Sequence, residues 1–169
     1  MYLQCYEEVK QLTKELVMIP SIVKTDGETE CAKRIYDYYS ELEYFKTYPE
    51  QVILQKTIDD EIERYNTISI VRGTKGDSKK TIILMGHLDT VGTEDFGDIE
   101  KYAQDPDALP ELLKTLNLGD HVNRDIESGE YMFGRGALDM KAGVAGHMYL
   151  IKYFSQHPEE LDGNLIAIA

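Results

Sequence analysis

The stretch TIILMGHLDTV, residues 81–91, decides how the chain folds. Thr81 to Met85 is apolar on both of its alternating faces, which predicts an interior strand covered from two sides. Gly86 ends the run, and His87 and Asp89 follow at once. In extended backbone, positions two apart project to the same side. Ligands collect at the carboxyl ends of strands in open α/β sheets. A neutral imidazole binds metals, and a neighbouring carboxylate can accept the proton of its other nitrogen and so set tautomer and direction. His87 is therefore a candidate metal ligand, with Asp89 its orienting partner. Taken alone the signal is weak, and such residues are more often a solvated turn in which Asp89 caps local backbone groups.

Working outward, Cys5, Tyr6, Val9, Leu12, Leu16 and Ile19 extend a stripe begun at Tyr2, mostly at three- and four-residue intervals. This predicts a helix that Pro20 closes, since the residue before a proline leaves the helical region. Ser21 to Gly27 reads as a loop, followed by a second helix with Cys31, Ile35, Tyr38, Tyr39 and Leu42 on one side. Val52–Gln55 and the β-branched run Asn66–Val71 predict strands, and Arg72–Lys80 carries turn chemistry. Beyond Val91 a polar excursion runs to Glu130, with a short helix expected over 110–116. Its length marks a functional segment or an insertion. Tyr131 and Phe133 suit a small strand, Met140–Gln156 a helix, and the apolar run Leu165–Ala169 another buried strand. This order predicts an α/β fold: a three-layer sandwich around a mixed, mostly parallel sheet. Ending on an apolar strand, the chain is expected to be the first part of a longer protein.

The second chemical feature is GRGALDMKAG, residues 134–143, placed where the long helix begins. Asp139 stands where a dinucleotide fingerprint needs its third glycine, and no Gly-Lys-Ser or Gly-Lys-Thr ending makes a phosphate loop. By itself Asp139 reads as a helix N-cap. Lys141 is expected in a structural ion pair, and Arg135 stays open between packing and binding. His147 is expected in or near the core, His121 in the polar excursion, and His157 at a helix end where the dipole favours it. Glu159 and Glu160 after Pro158 read as loop chemistry.

The 169 residues are 42% apolar, enough for one domain with a buried core. With 31 acidic and 18 basic residues the net charge is −13, which argues against nucleic acid or a membrane surface as partner. No apolar run is long enough to cross a bilayer, and the N-terminus lacks the features of a signal peptide, so a cytoplasmic location is expected. Cys5 and Cys31 are too few for a disulfide framework, and their spacing fits no thiolate zinc pattern.

Together, His87-Leu88-Asp89-Thr90 after a strand and Gly134 to Gly143 before a helix say more than either alone. The chain resembles the zinc-dependent exopeptidase and N-acyl-amino-acid hydrolase family, which includes aminoacylase, acetylornithine deacetylase, succinyl-diaminopimelate desuccinylase and carboxypeptidase G. The Ile19-Pro20-Ser21 loop is similar to that family's N-terminal region. The stretch GHLDTVGTEDFG, residues 86–97, is most similar to its arginine utilization branch. The resemblance implies that His87 is a zinc ligand and that Asp89 is the catalytic-site residue that clamps it. It implies that Asp139 bridges two zinc ions, with a cis peptide just after it. Zinc is the implied cofactor, two ions in the complete enzyme, with cobalt or manganese as alternatives. The implied substrate is a small peptide or an N-acyl amino acid, with a link to amino-acid catabolism and a homodimer for the full-length protein.

The family also has an adjacent glutamate pair after the next strand, a later acidic ligand, a later histidine and a lid and dimerisation domain. Residues 1–169 contain none of these. They are therefore expected to be the N-terminal part of a zinc-hydrolase catalytic domain, inactive alone. Two other readings stay open: a non-catalytic metal- or partner-binding module of the same fold, and a two-metal phosphoesterase.

Overall fold

The computed structural model describes residues 2–169, with side-chain surroundings from Cys5 onward. The side chain of Tyr2, where the expected first stripe begins, lies outside the described residues. Helix α1 (Tyr2–Val17) ends just short of Pro20, its last turn tightened by the Ile19 N–H donating to the Leu16 carbonyl at 3.2 Å. Helix α2 (Asp26–Ser40) starts earlier than its apolar stripe, with Asp26 and Glu28 in the first turn, where negative charge suits the helix dipole. A one-turn helix α3 (Glu43–Thr47) follows, absent from the sequence reading.

Strands β1 (Val52–Lys56), β2 (Tyr65–Arg72), β3 (Thr81–Met85) and β4 (Asn164–Ile168) form one four-stranded sheet in the order β1-β2-β4-β3. Pairings β1–β2 and β2–β4 are antiparallel, and β3–β4 is parallel. The sheet is mixed, as expected, but with a smaller parallel share than "mostly parallel". Only the β3–β4 pair is joined through a long crossover, which contains helix α6 (Ala142–Gln156).

Burial alternates along β2 and β4. Thr67, Ser69 and Val71 of β2, with Leu165 and Ala167 of β4, are buried on the face covered by α2 and α6. Cys31, Ile35, Val144, Met148 and Ile151 complete this core. Each such aliphatic side chain contributes roughly 1.5–3 kcal/mol by leaving water. The Thr67 hydroxyl, buried there, donates to the Ala32 carbonyl at 2.7 Å, so its polarity is satisfied locally.

The other face carries Ile68, Ile70, Ile166 and Ile168, half-buried, and Ile53, Ile83 and Met85, exposed. Among the described residues, then, helices cover one face, so helices and sheet together supply two of the three expected layers. The expectation of an interior β3 is corrected. Among the described residues it lies at the end of the sheet, with Ile82, Ile83 and Met85 at 59%, 54% and 69% exposure. An apolar run makes a strand fit for burial, but its neighbours decide whether it is buried.

The excursion contains short 3-10 turns over Glu94–Tyr102 and helices α4 (Leu109–Leu113) and α5 (Asp120–Ser128). Helix α4 matches the short helix expected over 110–116. Helix α5 was not expected, because Val122 and Ile126 are too few to show a period. Tyr131 and Phe133 form no strand; their rings lie near each other, with centroids 6.5 Å apart, and among the described residues no ladder partner meets them. Helix α6 begins at Ala142 rather than Met140 because a wide turn over Ala137–Lys141 precedes it, closed by the Lys141 N–H on the Gly136 carbonyl at 3.0 Å.

Candidate functional site

Strand β3 delivers His87 to the head of α6. The Gly86 N–H donates to the Ile168 carbonyl at 3.0 Å, carrying the β3–β4 pairing one residue further. A Cβ at Gly86 would lie 2.8 Å from Val144 Cγ2, so glycine lets the strand end come this close to α6 without displacing that side chain. On the other side, Gly136 turns the chain with φ +82°, and a Cβ there would meet Thr90 Cγ2 at 2.5 Å. The turn that follows presents Asp139, and the Asp139–Met140 peptide is cis, the feature the family resemblance implied.

These two approaches bring His87 Nε2 to 2.8 Å from Asp139 Oδ1. Nδ1 of the same ring lies 3.1 Å from the Asp89 carbonyl oxygen and 3.5 Å from the Asp89 carboxylate. The main chain of Asp89 is thus the nearer acceptor, and its carboxylate stands just beyond. With the Nδ1 proton donated to that carbonyl, a neutral His87 turns the lone pair of Nε2 toward a carboxylate oxygen. Two acceptors this close require a proton or a cation between them. In the chain as it stands the Asp139 carboxylate raises the pKa of His87 above the ordinary histidine range; partial burial opposes this, and the Asp89 carbonyl adds to it.

Imidazole nitrogen and carboxylate oxygen are both zinc donors, so the pair fits that metal chemically. Asp139 is largely exposed, and His87 and Asp89 about half so. They border a cavity of about 270 Å³ that Thr90, Arg135 and Leu138 also line.

Arg135, left open by the sequence, pairs with Asp95 and lies over the Phe96 ring at 5.1 Å from its centroid. Its guanidinium holds the Asp95 carboxyl below the usual carboxylate range. The ion pair expected for Lys141 is corrected. Its side chain is fully buried, it has no carboxylate partner among the described residues, and Nζ donates to the Ile19 carbonyl at 2.7 Å. Burial lowers its pKa. Nothing in the local sequence marked Lys141 for the interior, because its surroundings come from the far end of α1.

His147 is half-buried on α6, as expected, with Nδ1 lacking a partner among the described residues and burial lowering its pKa. His121 is exposed. His157, Glu159 and Glu160 cluster at the surface after α6, where the Tyr153 hydroxyl donates to Glu160 at 2.9 Å. Cys5 and Cys31 are both free thiols.

The mixed sheet carries a histidine from one strand end to a carboxylate just before the crossover helix, within an α/β architecture. The chain belongs to Peptidase family M20/M25/M40, which residues 83–169 match. Over 163 residues it is 38% identical to Protein RocB of Bacillus subtilis (strain 168), a match covering 96% of this chain and 29% of that one. Succinyl-diaminopimelate desuccinylase of Cupriavidus taiwanensis is 31% identical over 100 residues, covering 59% of this chain and 21% of the enzyme. The chain thus spans less than a third of the length of these relatives. Among solved structures, the M20 family metallo-carboxypeptidase Sso-CP2 from Sulfolobus solfataricus shares the fold with a TM-score of 0.53 at 16% identity, over 95% of this chain and 30% of that one. Among the described residues no helix is long and apolar enough to cross a membrane.

Proposed function

We propose that this chain is the N-terminal part of the catalytic domain of a metal-dependent hydrolase that cleaves amide bonds in small peptides or N-acyl amino acids. The observation that carries this reading is the 2.8 Å approach of His87 Nε2 and Asp139 Oδ1, from segments 52 residues apart, beside an open cavity. His87 and Asp139 would hold the metal, with zinc first and cobalt or manganese as alternatives. When bound there, the metal supplies Lewis acidity, polarising a carbonyl and acidifying a water.

The protein's own groups do the rest. The Asp89 carbonyl accepts the Nδ1 proton and fixes the tautomer that leaves Nε2 free to bind. The negative charge of Asp139 favours a cation over a second proton. Arg135, held by Asp95, supports one wall of the cavity. The resemblance of residues 86–97 to the arginine utilization branch supports a place in amino-acid catabolism, with a cytoplasmic location. The longer protein would be a homodimer with two zinc ions.

The 169-residue chain itself is expected to turn over little or no amide, since the adjacent glutamate pair that the resemblance implies as base and ligand is not among residues 1–169. The test is calorimetric titration of the purified chain with Zn²⁺, alongside assays on N-acyl amino acids and dipeptides. Saturable binding lost in His87→Ala supports the reading. Binding unchanged by that substitution overturns the assignment of the site, and robust turnover by the chain overturns its expected inactivity.

A further inference from the structure

We propose that Ser21 and Lys141 are positioning residues, which tie the Ile19-Pro20-Ser21 loop to both halves of the His87–Asp139 pair and so set the spacing across it. The inference rests on the metal-site reading above. Ser21 is fully buried, and its hydroxyl donates to the Leu88 carbonyl at 2.6 Å. Its own carbonyl accepts the Thr90 N–H at 2.8 Å, and the Val23 N–H donates to the Thr90 carbonyl at 2.9 Å. The loop therefore runs alongside residues 88–90 and grips the segment that carries His87. From the other direction the Lys141 ammonium, two residues past Asp139, donates to the Ile19 carbonyl. One short loop thus reaches both ligand-bearing segments.

The packing leaves this loop little room to drift. A Cβ on Gly27, at the start of α2, would come within 2.0 Å of the Pro20 carbonyl oxygen, so α2 presses on the loop from behind. A Cβ on Gly136 would meet Thr90 Cγ2 and, at 3.3 Å, Lys141 Cδ, so the two ligand segments also touch at that point.

Lys141 is a costly way to fill this space. A buried ammonium without a carboxylate loses its hydration and gains little in return, and an apolar side chain of similar length generally packs such a site at least as stably. What the ammonium adds is a directed bond to the loop. Ser21 makes the matching bond on the His87 side.

This separates positioning from simple stability. In Lys141→Met, the melting temperature of the 169-residue chain stays level or rises, while its affinity for Co²⁺, used as the metal probe, falls about tenfold or more, the effect typical of outer-sphere residues. Ser21→Ala shifts Co²⁺ affinity in the same direction. It also serves as the test variant if Lys141→Met does not fold. Val71→Ala, in the core on β2, lowers the melting temperature without changing Co²⁺ affinity.

The ¹⁵N signal of His87 Nε2 in the metal-free chain reads the pair directly, and it moves in both positioning variants but not in Val71→Ala. Wild-type Co²⁺ affinity and a wild-type His87 signal in both variants overturn the proposal. If the unaltered chain binds no Co²⁺, the metal reading fails, and the His87 signal alone then decides whether Ser21 and Lys141 set the pair.

Discussion

His87 Nε2 and Asp139 Oδ1 stand 2.8 Å apart with 52 residues of chain between them. Held at that distance, a neutral imidazole nitrogen and a carboxylate oxygen repel unless a proton or a cation lies between. The pair raises the histidine pKa for the same reason that it suits a metal, since both effects come from negative charge directed at a nitrogen lone pair.

Removing the charge tests this directly. Asp139→Ala is expected to weaken Zn²⁺ binding by about a hundredfold or more, and by more than Lys141→Ala does. Titration calorimetry on the two variants makes the comparison, and equal affinities would show that Asp139 is not a ligand.

The two acceptors at Nδ1 make a finer distinction. The Asp89 carbonyl is at 3.1 Å and its carboxylate at 3.5 Å, so Asp89→Asn keeps the nearer contact. Its loss of Zn²⁺ affinity should stay within about tenfold, far less than for His87→Gln. A loss as large as that of His87→Gln would show that the carboxylate, and not the main chain, orients the ring.

Gly136 has φ +82° and no space for a methyl group against Thr90. Gly136→Ala should lower folding stability by about 1–3 kcal/mol, combining the left-handed backbone with the clash. Urea unfolding measures this, and an unchanged midpoint would mean that the turn relaxes at no cost.

His147 sets a pH dependence. Burial depresses its pKa in the folded chain below the unfolded value of about 6.5. The unfolded chain therefore binds the proton first. The contribution of His147 to stability is complete above the unfolded value and is lost as pH falls through the folded one. His147→Gln should flatten the unfolding free energy between about pH 6.5 and the acid limb. An unchanged pH profile would assign that slope to other groups.

The exposed strand β3 bears on solubility. Ile83 is 54% exposed on a strand paired along one edge among the described residues. Ile83→Lys should change stability by no more than about 0.5 kcal/mol and reduce concentration-dependent light scattering of the chain. A large loss of stability would show that Ile83 packs in solution.

Much of this architecture was legible in residue order. The stripes on α1, α2 and α6 and the apolar runs of β2, β3 and β4 are local patterns, and the elements formed close to where those patterns lie. His87, Asp89 and Asp139, which the fold brings together, stand at a strand end and before a helix, where special backbone leaves compact motifs. Where the reading departed from the structure, the deciding partner was distant or missing. Tyr131 and Phe133 have strand composition but no ladder to join among the described residues. Strand β3 has interior composition but, among the described residues, a single paired edge, and Lys141 has a surface residue's chemistry yet lies under the Ile19 carbonyl, 122 residues away. Local composition selects helix, strand and turn through short-range sterics and periodicity. Which edges pair, which faces are covered and which carbonyl meets a buried ammonium depend on long-range packing, and that becomes defined only when the segments meet.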